Sequence, residues 1–160
     1  MREVKIGTLI FSLAIPLLVG GISAALTKQG MLAYASMAKP PLSPPAWVFC
    51  IVWLILYILM GLATYCVITT DTYGQSKTAA FVIYAIQLAL NFMWPIIYFN
   101  WGMYLSAFVW LILLWVIVIV CAFMYGGINR TAGCLMIPYI VWLTFAAYLN
   151  MGTYILNLKK

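Results

Sequence analysis

The sequence predicts an all-α, polytopic membrane protein, a bundle of five transmembrane helices, and three observations predict it. Eight Lys and Arg residues and two acidic ones are all the charge the chain carries, with no histidine. Between those markers the chain is apolar or aromatic, with 68% hydrophobic residues and a mean hydropathy of +1.12. Soluble proteins run at roughly 45–50% apolar and about 25% charged. The uncharged stretches are also long enough, since a helix needs about 20 residues to cross a hydrocarbon core of roughly 30 Å.

The elements follow from where those stretches break. The first helix is expected over residues 6–26, with Pro16 tolerated as it is in lipid. Its apolar stretch is long for a signal peptide, so it is read as a span. The second helix is expected over 45–69, and a polar hinge, Thr70 to Lys77, precedes the third. Residues 78–129 are too many for one crossing, because at about 1.5 Å rise they would extend roughly 78 Å. They must turn once, and Asn100-Trp101-Gly102 is the place. That gives a third helix over 78–99 and a fourth over 103–125. Gly126 to Arg130 then turns into a fifth over 131–158. Five spans occupy nearly the whole chain, so residues 1–160 form one domain, and no internal repeat points to an inverted-repeat transporter.

Residues 27–44 form the longest connection. They carry Met31, Leu32, Tyr34 and Met37, then Lys39-Pro40-Pro41-Leu42-Ser43-Pro44-Pro45, which holds four of the chain's seven prolines. Proline fixes φ and restricts its predecessor, so this segment is expected to be stiff and extended. It reads either as a lid over the mouth of the bundle or as an interfacial connector.

Charge and cysteine usage exclude several functions. The net charge of +6 comes from basic residues scattered singly at span ends, which suits interfacial anchoring to lipid. It supplies no basic stripe, so no nucleic-acid partner is expected. Arg2, Lys5, Lys77 and Arg130 fall on one side of the membrane and Lys28, Lys39, Lys159 and Lys160 on the other, leaving orientation tied. Cys50, Cys66, Cys121 and Cys134 form no CxxC pair and sit in or beside spans. They are read as packing residues, with no metal site. The absence of an acid or base at mid-membrane argues against proton-coupled transport, ion channels and intramembrane hydrolysis.

Aromatic chemistry remains, at 16% of residues with seven tryptophans. On the third helix Tyr84, Gln87, Asn91 and Trp94 recur at spacings of three and four and share one stripe. Amides inside lipid must face protein or a cavity. Trp53, Tyr57 and Gly61 share a face of the second helix, and Trp142, Ala146 and Asn150 one of the fifth. Aromatic and polar groups beside small residues make the walls of a pocket for a flat, mostly apolar ligand. The same pattern also suits ordinary bundle packing with interhelical hydrogen bonds.

Three blocks carry a resemblance. Lys39-Pro40-Pro41-Leu42-Ser43-Pro44-Pro45-Ala46-Trp47-Val48-Phe49, followed by Val52-Trp53 and Leu56 to Gly61, is similar to the tryptophan-rich sensory protein / translocator protein family, whose mammalian members are called peripheral-type benzodiazepine receptors. Gln87-Leu88-Ala89-Leu90-Asn91-Phe92-Met93-Trp94-Pro95 resembles that family's third helix, and Pro138 to Asn150 its fifth. The resemblance spans essentially the whole chain. It implies a multi-pass protein of a bacterial cell membrane, often dimeric. It also implies a pocket under the first loop for porphyrins, haem, sterols and isoquinoline or benzodiazepine drugs, with no required cofactor. Matched by motif, the implied ligand-binding positions are Tyr34, Pro41, Trp47, Trp53, Gln87, Asn91, Trp94, Trp142, Phe145 and Ala146; Tyr57 joins them from its shared helix face. The family is proposed to degrade porphyrin in light, with Trp53 and Trp142 matching the implicated tryptophans. An enzyme of that kind and a passive porphyrin or sterol transporter are therefore the alternatives to a sensor.

The chain departs from the family at Ala33-Tyr34, where Trp-Tyr is frequent, at Leu42, where an aromatic is frequent, and at Val109-Trp110, where the family often carries Val-Asp. Leu149, Tyr154 and Lys159 fit a loose sterol-contact pattern, and Tyr154 with Lys159 also reads as an interfacial anchor. Ala85 and Ala89 form a small-xxx-small pair, which allows close helix approach in lipid and, with the resemblance, suggests a homodimer through the third helix.

Overall fold

The computed structural model describes residues 5–71 and 77–158. Five helices, α1 (Ile6–Ala35), α2 (Ala46–Thr69), α3 (Lys77–Pro95), α4 (Tyr104–Ile128) and α5 (Arg130–Asn157), make up the bundle, and a π-helical turn, Ile96–Asn100, extends α3. All five are long and apolar enough to cross a membrane. Their outer faces carry large apolar side chains in the open, such as Phe123 at 78% and Val109 at 63% exposure. Such an exterior is stable only against lipid, and the protein is an integral, multi-pass membrane protein.

The inward face is set by each helix's own spacing. Leu111, Leu114, Val118, Cys121 and Tyr125 of α4 are fully buried, as are Ala132, Met136, Tyr139 and Leu143 of α5, and these two helices pack along their length. Their turn is capped: the Asn129 Oδ1 accepts from the Ala132 N–H at 3.1 Å, meeting one of the orphan donors of a helix start. The other end of that amide donates to Thr70 Oγ1 at 2.8 Å, which ties the α4–α5 turn to the end of α2. Lys77 serves the same end of the bundle by donating to the Ile68 and Thr70 carbonyls.

Three boundaries differ from those read in the sequence. α4 runs on to Ile128, past the expected end at 125, so the first part of the expected Gly126–Arg130 turn is helical. α1 runs on to Ala35 instead of ending near Leu26, so the first half of the expected loop is helical. Lys28, Gln29, Met31, Leu32 and Ala33 are good helix formers, and no proline interrupts them before position 40. Fading hydrophobicity marks where a helix leaves the membrane, not where it ends. The reversal after α3 falls at Trp101–Met103, where Gly102 takes a left-handed φ of 63°. Pro95 has no N–H to give, and beyond it the Trp101 N–H donates to the Ile96 carbonyl, five residues back, at 3.1 Å.

The remaining loop, 36–45, is fastened to α5. Pro40 is buried against Gly152, where an added Cβ would lie 2.6 Å from the Pro40 Cβ. Tyr148 donates to the Pro41 carbonyl and Asn157 to that of Ala38, both at 3.0 Å. Leu42 alone among non-glycine residues described takes a positive φ, 67°, and its side chain stands 81% exposed.

Candidate functional site

α1, α2 and the end of α3 line a cavity of 230 Å³. Its two walls are chemically unlike. α1 contributes Gly20, Ser23, Ala24 and Thr27, a small-residue face at helical spacing, while α2 and α3 contribute Phe49, Trp53, Tyr57, Trp94 and Phe99. The small face is necessary: a Cβ at Gly20 would sit 2.1 Å from the Tyr57 ring. The α1 hydroxyls are spent on backbone, Ser23 donating to the Phe92 carbonyl at 3.1 Å and Thr27 to that of Ser23 at 2.8 Å. The cavity therefore offers ring faces and little polarity. Gly21, Ala24, Cys50 and Leu54 line it and are also exposed, so it opens sideways between α1 and α2 toward the bilayer.

A second chamber of 70 Å³ lies directly under the loop and shares Met31, Phe49, Trp94 and Phe99 with the first. Tyr34, Lys39, Ser43, Ala146, Leu149 and Asn150 are among its other walls. Trp94 anchors the junction. Its ring stacks on Tyr98 at 5.1 Å and on Trp53 at 6.4 Å, and its Nε1 donates to the Asn150 Oδ1 at 3.2 Å. Asn150 in turn donates to the Tyr104 carbonyl at 2.7 Å. The Lys39 ammonium stands 5.0 Å over the Tyr34 ring, a cation–π contact that places the one charged lining residue at the mouth.

Behind the aromatic wall lies a closed polar cluster. Tyr57 donates to the Asn91 Oδ1 at 2.6 Å, and the Asn91 Nδ2 donates to the Tyr139 hydroxyl. Gln87 donates to the Met60 sulfur at 3.9 Å, and its Oε1 and the Tyr84 hydroxyl are buried without a partner. Thr64 and Tyr125 share a hydroxyl–hydroxyl bond of 3.1 Å.

The residues singled out in the sequence thus separate into six groups. Tyr34, Trp53, Tyr57, Trp94 and Ala146 line the two chambers. Gln87 and Asn91 sit behind Tyr57 with essentially no exposed surface. Trp142 and Phe145 line a shallow groove on the outside of α2 and α5, and Trp142 also packs against the core and meets the Phe49 ring at 5.5 Å between centroids. Trp47 is 66% exposed on the first turn of α2, and Pro41 is exposed apart from its carbonyl bond. Of the sterol pattern, Leu149 is buried in the bundle and Tyr154 half-buried, while Lys159 lies outside the described residues. Ala85 and Ala89 are exposed on the outer face of α3, opposite Tyr84, Gln87 and Asn91, in a groove bordered by Val19 and Trp110.

Sequence reasoning passed over Phe49 and the whole α1 wall. The small residues at 20, 23, 24 and 27 are a legible stripe, but without a known partner a stripe of that kind does not announce a cavity. Asn150 was visible on the Trp142–Ala146 face and proves to hold Trp94.

The fold and this site define a class: helical membrane proteins with an aromatic chamber inside the bundle under a proline-rich loop. The sequence of the TspO/MBR family matches residues 12–156. The chain is 33% identical over 154 residues to "Tryptophan-rich protein TspO" of Chlorobaculum tepidum, covering 96% of this chain and 98% of that one. It is 33% identical over 150 residues to the protein of the same name from Archaeoglobus fulgidus, covering 93% and 96%. It is 40% identical over 124 residues to "Translocator protein" of Ovis aries, covering 76% and 73%. The chain belongs to the TspO/MBR family.

Proposed function

We propose that the chain is a membrane receptor or sensor that binds a flat, hydrophobic ring system, with tetrapyrroles such as protoporphyrin IX or haem as the leading ligands and sterols or isoquinoline and benzodiazepine drugs as others. The observation that carries this reading is the cavity's asymmetry, ring faces of Phe49, Trp53, Tyr57 and Trp94 opposite the small residues of α1. Burying an apolar ring there supplies the affinity, since aromatic side chains dominate such contacts and a few polar groups give orientation. Lys39 at the mouth suits a ligand bearing a carboxylate. Asn91 acts on the ligand through Tyr57, holding that part of the wall in shape.

Protoporphyrin quenching of tryptophan fluorescence in detergent tests this. Trp53→Ala should weaken binding about tenfold or more, whereas Trp47→Ala, on the exposed first turn, should change it little. Equal affinity in wild type and Trp53→Ala sinks the reading.

A second reading is favoured by the Trp53–Trp94 stack with Trp142 one ring further, behind Phe49. In light, an indole of Trp53 or Trp142 would donate an electron to an excited porphyrin, with molecular oxygen as terminal oxidant. Counting porphyrin destroyed per protein decides it: tryptophan consumed one for one with porphyrin means quenching, not catalysis.

A further inference from the structure

We infer that Phe49 sets the size of ring system the site admits, as a movable partition between the inner chambers and Trp142; this rests on the ligand-binding reading above. Sites for drug-sized ligands run at about 300–1,000 Å³. The main chamber, at 230 Å³, falls below that range, and the neighbouring 70 Å³ only brings the pair to its lower edge. A small two-ring compound fits such a space, and a tetrapyrrole macrocycle needs more. Phe49 is where more is to be had: of Met31, Phe49, Trp94 and Phe99, which border both chambers, it is the one whose ring also meets Trp142.

On its far side stands Trp142. The Phe49 ring meets it at 5.5 Å and 60°, and meets Trp53 at 6.2 Å and 54°. These are tilted contacts between ring edges and faces, and the half-buried phenyl ring forms no hydrogen bond that must break before it turns. Trp142 itself carries a second sign. Its Nε1 is buried and has no partner, an uncommon state for an indole donor. An acceptor on a ligand reaching past Phe49 would satisfy it. With Phe49 in place, a ligand touches Trp53 and Trp94 but not Trp142. With Phe49 turned aside, a macrocycle lies against both Trp53 and Trp142.

The test uses the purified full chain in detergent with two probes, protoporphyrin IX and an isoquinoline carboxamide. Affinity for the porphyrin is read from its absorbance shift and for the carboxamide by calorimetry. Contact with Trp142 is read as the part of the fluorescence quenching that Trp142→Phe removes. The ratio of porphyrin to carboxamide affinity should rise by about fivefold or more in Phe49→Ala and fall by a similar factor in Phe49→Trp. In the native chain the porphyrin should quench Trp142 and the carboxamide should not. Phe49→Leu serves if the alanine variant does not fold. A porphyrin-to-carboxamide affinity ratio indifferent to Phe49, or carboxamide quenching of Trp142 equal to the porphyrin's, overturns the partition while leaving the ligand-binding reading intact. A native chain that binds neither probe overturns both.

Discussion

Asn91 is the residue whose replacement the structure constrains most closely. Its amide accepts from Tyr57 and donates to Tyr139, joining α2, α3 and α5 at one point. Asn91→Ala leaves two tyrosine hydroxyls buried without that partner. An unsatisfied buried group costs about 1–3 kcal/mol in soluble interiors. Between membrane helices the measured worth of such bonds averages about 0.6 and reaches about 1.7 kcal/mol. Two bonds plus the lost packing of a fully buried side chain therefore place the destabilisation at about 2–4 kcal/mol. Tyr57→Phe, which breaks one bond and keeps the ring, should cost about 1 kcal/mol. The pair Asn91→Ala with Tyr57→Phe should then cost less than the sum, because the hydroxyl that Asn91 would have orphaned is gone. Unfolding in mixed micelles, titrated with sodium dodecyl sulfate and followed by tryptophan fluorescence, measures all three. Additivity within about 0.3–0.5 kcal/mol would refute the bond, since residues that interact depart from additivity by more. Porphyrin affinity should fall less in Asn91→Ala than in Trp53→Ala, because the amide is spent on protein and touches the ligand only through Tyr57.

Four further outcomes are expected. Gly20→Ala should lower the thermal midpoint and weaken porphyrin binding, since its Cβ falls on the Tyr57 ring. Gly21→Ala, with open space around it, should instead stabilise α1 by up to about 1 kcal/mol. Bound porphyrin should slow maleimide labelling of Cys50, which lines the sideways opening, and leave Cys134, exposed on α5, unaffected; equal slowing at both would argue against ligand at that opening. Ala85→Leu with Ala89→Leu, on the outer face of α3, should convert the proposed dimer to monomers that still bind porphyrin, and cross-linking in lipid that persists would place the contact elsewhere.

The spans were legible because a bilayer imposes one strong rule, some 20 uncharged residues per crossing, and this chain places its few charges at the crossings' ends. The α1 terminus was not, because helix propensity carries Lys28 to Ala35 past the point where hydrophobicity fades. Trp53, Tyr57 and Trp94 were legible as one wall from spacing on their own helices. Spacing also put Gln87 and Asn91 on the inner face, where they are, but periodicity cannot tell a cavity wall from the layer behind it. Only the ring of Tyr57, packed against Gly20 and bonded to Asn91, separates the two. Trp142 shows the same limit from the other direction. It shares a face with Ala146, yet it lines the outer groove while Ala146 borders the chamber.

The cavity's place in the bundle follows from how helices recognise one another in lipid. With no hydrophobic gain from meeting, they rely on close packing and hydrogen bonds. α2, α3, α4 and α5 have both: Tyr57–Asn91–Tyr139, Thr64–Tyr125, Trp94–Asn150 and Tyr98–Thr153 cross between them, and the interior there is filled. α1 is held by backbone-directed bonds, Ser23 to Phe92 and Asn100 to Leu26, and by the seat that Gly20 makes for Tyr57. On its cavity face only Leu17 and Met31 are large, so nothing fills the space opposite Trp53 and Trp94. A ligand entering there breaks no polar bond of the frame, and its binding energy comes from covering rings. The rigid part of the bundle thereby sets the geometry of the aromatic wall, and the small-residue helix supplies the room.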